Sequence, residues 1–238
     1  MRLTYARHTQ DFFGERPYPV DLGRVEARDG ASDALKLLRA QLPAPPARIL
    51  DLGCGHGRHA GPLQQAGYRL MAVDVSPACV RAARRRFPAL EVRCADMTRM
   101  PFRDASFDGV YSFYSSLGLQ GAPAAAALAE AARVTRAGGT LLVDVAGPAA
   151  LFSAFTERVP EGGALVVRWR TPRHVHQRNL VLARGALGLY RLSYERLEHT
   201  LPRLMERHGW RVTDTWGGFH GEPPRGDSAR LILCGERA

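Results

Sequence analysis

Arg48-Ile-Leu-Asp-Leu-Gly-Cys-Gly-His-Gly-Arg-His59 decides how this chain folds. Ile49 and Leu50 form an apolar pair that fits a buried strand, and Asp51 leads into three alternating glycines, Gly53, Gly55 and Gly57. Glycine lacks a Cβ, so it accepts positive φ and lets a ligand approach the backbone closely. A strand, a glycine turn and a helix N-terminus in succession make a seat for an adenosine-bearing ligand.

The spacing separates two readings of that seat. A dinucleotide fingerprint runs G-x-G-x-x-G. Here the glycines fall as G-x-G-x-G behind an acid. That pattern resembles the first motif of the class I S-adenosylmethionine-dependent methyltransferases. A nicotinamide oxidoreductase is the weaker reading on this spacing.

The sequence beyond the turn continues in step. Arg69 to Val73 reads as a second strand ending at Asp74, 21 positions after Gly53. That is close to the ~20 expected for an acid on the ribose of a bound nucleotide. An ionised carboxylate only accepts hydrogen bonds, which suits two ribose hydroxyls. Leu90 to Cys94 reads as a third strand, followed by Ala95-Asp96-Met97. The resemblance implies that Asp96 accepts from the adenine amino group and that Met97 packs on the ring. Phe107 to Phe113 reads as a fourth strand. Glu130 to Gly139 looks like the helix and glycine turn before a fifth, Thr140 to Val145.

The fold expected is a three-layer α/β/α doubly wound sheet of seven strands. The resemblance implies that it is mostly parallel with the last strand antiparallel. One domain spans the chain. Residues 1–34 read as an N-terminal arm or lid, 35–147 as the cofactor-binding core, 148–192 as an inserted small antiparallel β cap, and 193–238 as the completion of the sheet. Ala34 to Leu42 carries Leu35, Leu38 and Leu42 at helical spacing, ended by prolines. The helix after Gly57 is expected over Arg58 to Ala66, but Gly61-Pro62 forces a late start or a bend. In the cap, Leu165 to Arg170 and Leu180 to Arg184 suggest strands. Leu197, Leu201, Leu204 and Met205 predict a helix from Tyr194 to His208, stopped by Gly209.

Composition bounds the rest. The chain has 238 residues and 45% hydrophobic content, enough to fill the core of one α/β domain. No run approaches the ~18 apolar residues of a membrane span. Met1 to His8 lacks an apolar signal core. A cytoplasmic protein without a membrane partner is expected. Cys54, Cys79, Cys94 and Cys234 form no C-x-x-C pair and read as buried reduced thiols. The net charge is +10, yet Lys36 is the only lysine, a skew that fits codon bias better than a binding surface. Arg81, Arg84, Arg85 and Arg86 read as the solvated face of an outer helix.

Methyl transfer from a sulfonium needs alignment of nucleophile and methyl in a dry site, near ~3–3.5 Å. The reading therefore places S-adenosylmethionine, leaving as S-adenosylhomocysteine, against Asp51, Gly53, Cys54, Gly55, Asp74, Val75, Asp96, Met97, Ser112 and Phe113. Asp51 is expected at its ammonium group, and Ser112 or Phe113 in its methionine channel. Candidate bases are His220, in the loop Gly217 to Ser228, and then Tyr114. Candidate acceptor contacts are Tyr5, Tyr18, Ser115, Trp169 and Arg230, with Ser116, His174, His176 and Tyr190 behind them. His174 and His176 share a strand face but lack a third ligand at a usual spacing, so no metal is expected. The acceptor expected is a small molecule, because a cap makes an enclosed pocket. An RNA acceptor is the alternative motivated by charge. No N-P-P-Y-type sequence follows the fourth strand, which counts against base-amino methylation. A non-catalytic S-adenosylmethionine-binding protein is the third reading.

Overall fold

The structure is a computed structural model. It describes residues 3–6, 31–114, 117–119, 123–148, 153–159, 162–183 and 186–238. In chain order the elements are β1 (Leu3–Ala6), α1 (Ala31–Gln41), β2 (Arg48–Leu52), α2 (Ala60–Gln65), β3 (Arg69–Asp74), α3 (Pro77–Arg86), β4 (Glu91–Cys94) and β5 (Phe107–Ser112). They continue with α4 (Ala124–Val134), β6 (Thr135–Ala146), β7 (Ser153–Val159), β8 (Gly162–Arg170), β9 (His174–Ala183), β10 (Ala186–Glu195), α5 (Leu201–Arg207), β11 (Trp210–Trp216) and β12 (Arg230–Arg237).

Seven strands form one sheet in the order β11-β12-β6-β5-β2-β3-β4. The pairs from β6 to β4 are parallel. β12 runs antiparallel to both its neighbours, as the resemblance implies. Side chains alternate between the two faces of a strand, and the core divides accordingly. Leu50, Leu52, Val110, Leu141 and Leu233 pack with α4 and α5 on one face. Ile49, Leu70, Tyr111, Leu142 and Ile232 pack with α1, α2 and α3 on the other. The chain winds outward from β2 through β3 to β4, then returns to β5 on β2's other side. Ligands of such sheets bind beyond the carboxyl ends of the strands at this reversal.

Some boundaries differ from the sequence reading, for local reasons. α2 starts at Ala60, so Gly61 and Pro62 occupy its first turn, where proline's missing N–H costs nothing. Gly61 is there because the Phe87 ring lies against it: a Cβ would meet that ring at 2.4 Å. β6 begins at Thr135, before the glycine pair. Its register against β5 shifts between Phe107 and Gly109, so Gly138-Gly139 forms a bulge within the strand rather than a turn before it. The helix expected from Tyr194 is replaced by the end of β10, which runs to Glu195 and pairs Tyr194 with Leu119. Helix α5 starts only at Leu201, because Pro202 must stand in its first turn. The buried spacing of Leu201 and Met205 survives in the shorter helix.

The insertion holds more strands than the two the sequence suggests. β7 to β10 form an antiparallel meander, and β1 adds to β10 in parallel, giving a second sheet ordered β1-β10-β9-β8-β7. Of the thiols, Cys54, Cys79 and Cys234 are buried, while Cys94 is exposed at the edge of β4, a correction to the expectation of four buried thiols. Arg81, Arg84, Arg85 and Arg86 lie on the exposed side of α3. No helix among the described residues is long and apolar enough to cross a membrane.

Candidate active site

The glycine turn follows β2 directly. Gly53, Gly55 and Gly57 have φ of 75°, 55° and 77°. An L side chain pays for such a backbone in strain, so the alternation of glycines follows from the turn's shape. At Gly55 a Cβ would meet nothing within 4 Å. The glycine there makes room for no neighbouring side chain, and the space above it is left for a ligand. The turn is tied to β3: the amides of Gly53 and Cys54 donate to the Val73 carbonyl, at 2.9 and 3.0 Å.

Asp74, the last residue of β3, locks the turn. Its Oδ2 accepts from the Gly55 amide and its Oδ1 from the Ser76 amide, both at 2.8 Å. Each carboxylate oxygen has two acceptor positions, so one on each remains for a ligand. Burial raises its pKa, and the two amides work against that rise.

Asp51 is buried at 2% exposure and accepts a 2.7 Å hydrogen bond from the Tyr111 phenol. Burial raises its carboxyl from 3.8 to about 7, and the charge of Asp74 adds to this. The Tyr111 bond and Arg58 pull the other way. A cation arriving beside this carboxyl favours its ionised form.

Tyr114 follows β5 with a φ of 64°, a rare conformation for a bulky residue. Two guanidiniums lie over its ring, the Cζ of Arg58 at 3.5 Å from the centroid and that of Arg230 at 4.3 Å. The His59 ring stacks on it at 5.2 Å. One buried carboxylate organises this group. Asp144 Oδ2 accepts from the Tyr114 amide at 2.7 Å and from Arg230 Nη1 at 2.6 Å. Asp144 is fully buried, which raises its pKa, while Arg230 and the Tyr114 amide oppose the rise. Burial, then Arg58 and Arg230, drive His59 down to about 3, so it is neutral. Among the described residues, Asp144 Oδ1 and His59 Nε2 are buried polar atoms with no hydrogen-bond partner.

The other expected residues fall unevenly around this centre. Asp96 closes a turn of its own, with Oδ1 taking the Thr98 amide and hydroxyl, and Met97 packs partly buried against the core. Val75 is half-buried beside Asp74. Cys54 is buried, which raises its thiol pKa. Ser112 is wholly buried with its hydroxyl on the Leu52 carbonyl. Phe113 stacks on Phe219 at 5.6 Å. His220 is 73% exposed, with Nε2 3.5 Å from Asp33 of α1. Trp169 lies in the second sheet, stacked on His176 at 5.4 Å, with the Arg178 guanidinium over its ring at 4.8 Å. His174 neighbours His176 at 6.1 Å. Tyr5 is in β1 and Tyr190 in β10, while Tyr18, Ser115 and Ser116 lie outside the described residues. Among the described residues no group of three or more His, Cys, Asp or Glu could hold a metal ion.

Four residues of this centre escaped the sequence reading: Arg58, His59, Tyr111 and Asp144. Asp144 had a signal, a lone acid inside the apolar run Leu141-Leu-Val-Asp-Val145. A charge there needs a buried partner, and Arg230 at the head of the neighbouring strand supplies it.

Known proteins resemble this chain in sequence and in fold. Residues 49–139 match the family model described as a methyltransferase domain. The demethylmenaquinone methyltransferase of Beutenbergia cavernae is 42% identical over 100 residues, 42% of this chain and 40% of that protein. The chain thus spans about two fifths of the length of that curated relative. Among solved structures, the CcbJ methyltransferase from Streptomyces caelestis superposes with a TM-score of 0.75 at 16% identity, covering 93% of this chain and 98% of the other. The sugar N-methyltransferase KedS8 from Streptoalloteichus sp. ATCC 53650 superposes with a TM-score of 0.69 at 22% identity, covering 91% of each.

Proposed function

We propose that this chain, whose residues 49–139 match a methyltransferase-domain model, is a class I S-adenosylmethionine-dependent methyltransferase that transfers the cofactor's methyl group to a small-molecule acceptor. The observation that carries the reading is the turn at Gly55, open to a ligand and closed from below by Asp74. The residues present fit the cofactor. Asp74 offers acceptors for ribose hydroxyls, Asp51 a carboxylate for the ammonium, and Asp96 Oδ2 an acceptor for the adenine amine, with Met97 beside it.

When bound, the cofactor supplies an electrophilic methyl carbon and a neutral thioether leaving group. The chain's own task is to bind, orient and keep water out. Asp51 and Tyr111 form a buried polar pair under the glycine turn. Tyr114 stands at the carboxyl end of β5, inside the site, whereas His220 faces Asp33 and solvent. Proton removal, where the acceptor needs it, falls to the Tyr114 side chain, which stands against Arg58 and Arg230. Arg230 sits against the same ring and contacts the acceptor.

A small acceptor is supported by the inserted second sheet and by the relatives, which are named for menaquinone-type and sugar substrates. The test is transfer from S-adenosylmethionine bearing a deuterated methyl group into a metabolite extract, read by mass spectrometry. Labelled small-molecule products are expected. Label confined to RNA would select the RNA reading. Cofactor binding without any labelled product would select a non-catalytic binder.

A further inference from the structure

We propose that Arg230, held by Asp144, binds a carboxylate on the methyl acceptor; this rests on the methyl-transfer reading of the site. The side chain of Arg230 is 24% exposed, yet among the described residues its guanidinium hydrogen-bonds only Asp144, through Nη1. Its Cζ lies over the rings of Tyr114 and Phe219, at 4.3 and 4.6 Å. A guanidinium carries five N–H donors in a planar fork. One N–H is spent on Asp144 and the group rests against two rings, so the guanidinium keeps N–H donors for a further partner.

A planar carboxylate pairs with such donors through two parallel bonds. Asp144 Oδ1 and His59 Nε2 are buried without partners among the described residues, and both lie on residues that pack around the Tyr114 ring. Charge agrees in sign: two guanidiniums, Arg58 and Arg230, lie over Tyr114, while Asp144 is the carboxylate bonded there. The aromatic surface of Phe113, Tyr114 and Phe219 favours an acceptor that is planar or apolar next to its acid group.

The probes are benzoate and benzamide, alike in shape and different in charge. They are titrated at constant ionic strength into the protein saturated with S-adenosylhomocysteine. The parent protein should bind benzoate roughly ten- to a hundredfold more tightly than benzamide, as for a charged hydrogen-bonded pair. Arg230→Gln should lose that preference and keep its affinity for S-adenosylhomocysteine. Because Arg230→Gln leaves Asp144 buried alone, the double variant Asp144→Asn/Arg230→Gln repeats the test without a lone charge. Equal affinities for the two probes, or no binding of either, would overturn the assignment. Loss of S-adenosylhomocysteine affinity in the folded variants would also overturn it, by giving the guanidinium to the cofactor's own carboxylate. Failure of the parent protein to bind S-adenosylhomocysteine is a separate result, and refutes the methyl-transfer reading itself.

Discussion

Asp51 and Tyr111 stand in register across the β2–β5 pair, and the Tyr111 phenol donates a 2.7 Å hydrogen bond to the Asp51 carboxylate. The pair is buried at the point where the sheet reverses its winding. It places a carboxyl titrating at about 7 directly beneath the glycine turn.

The stability of the ligand-free protein should therefore depend on Asp51. Its pKa is raised on folding, so the folded state holds this proton more tightly than the unfolded chain. The stability linked to it is complete below about pH 4 and is lost as the pH rises through about 7. Asp51→Asn should flatten this part of the profile and be more stable than the parent above pH 7, by up to about 4 kcal/mol. Urea unfolding of both proteins across this range checks it.

Cofactor binding should release a proton. An ammonium beside Asp51 favours the carboxylate and lowers its pKa. Between about pH 5.5 and 7 the parent should give a binding heat that changes with the ionisation enthalpy of the buffer. Asp51→Asn should show no such dependence. A buffer-independent heat in the parent would place the ammonium elsewhere.

Gly61 and Phe87 should be coupled. Gly61→Ala drives a Cβ into the Phe87 ring, and overpacking of this kind costs about 1–3 kcal/mol. Adding Phe87→Leu should recover part of the loss. The double-mutant cycle, measured by denaturant midpoint, reports the coupling.

Tyr114→Phe keeps the ring against Arg58 and Arg230 and removes only the hydroxyl. If the phenol is the base, kcat should fall by roughly 10²–10⁴-fold with cofactor affinity unchanged. A comparable loss in His220→Ala, with Tyr114→Phe unaffected, would move the role to His220.

Much of the sheet was legible because its signals are local. Asp51 followed by alternating glycines, and Asp74 at the end of the next strand, each sit within one short segment. The bulge at Gly138-Gly139 was not legible, since it depends on register against β5. The site's second half was hidden for a like reason. Asp144, Arg230, Tyr114 and His59 meet from four separate segments, and only the tertiary fold shows that one carboxylate serves both Arg230 and the Tyr114 amide. His220 looked apt by type and loop, but its ring reaches Asp33, a residue no spacing rule connects to it.

The most direct measurement is isothermal titration of the parent protein and Asp74→Ala with S-adenosylmethionine and S-adenosylhomocysteine. The parent should bind both with micromolar affinity. Asp74→Ala, still folded, should bind each at least about tenfold more weakly, since it loses hydrogen bonds of a charged group worth about 1.5–3 kcal/mol each. Absence of binding by the folded parent, or equal affinity in Asp74→Ala, would contradict the placement of this cofactor over the Gly53–Gly57 turn.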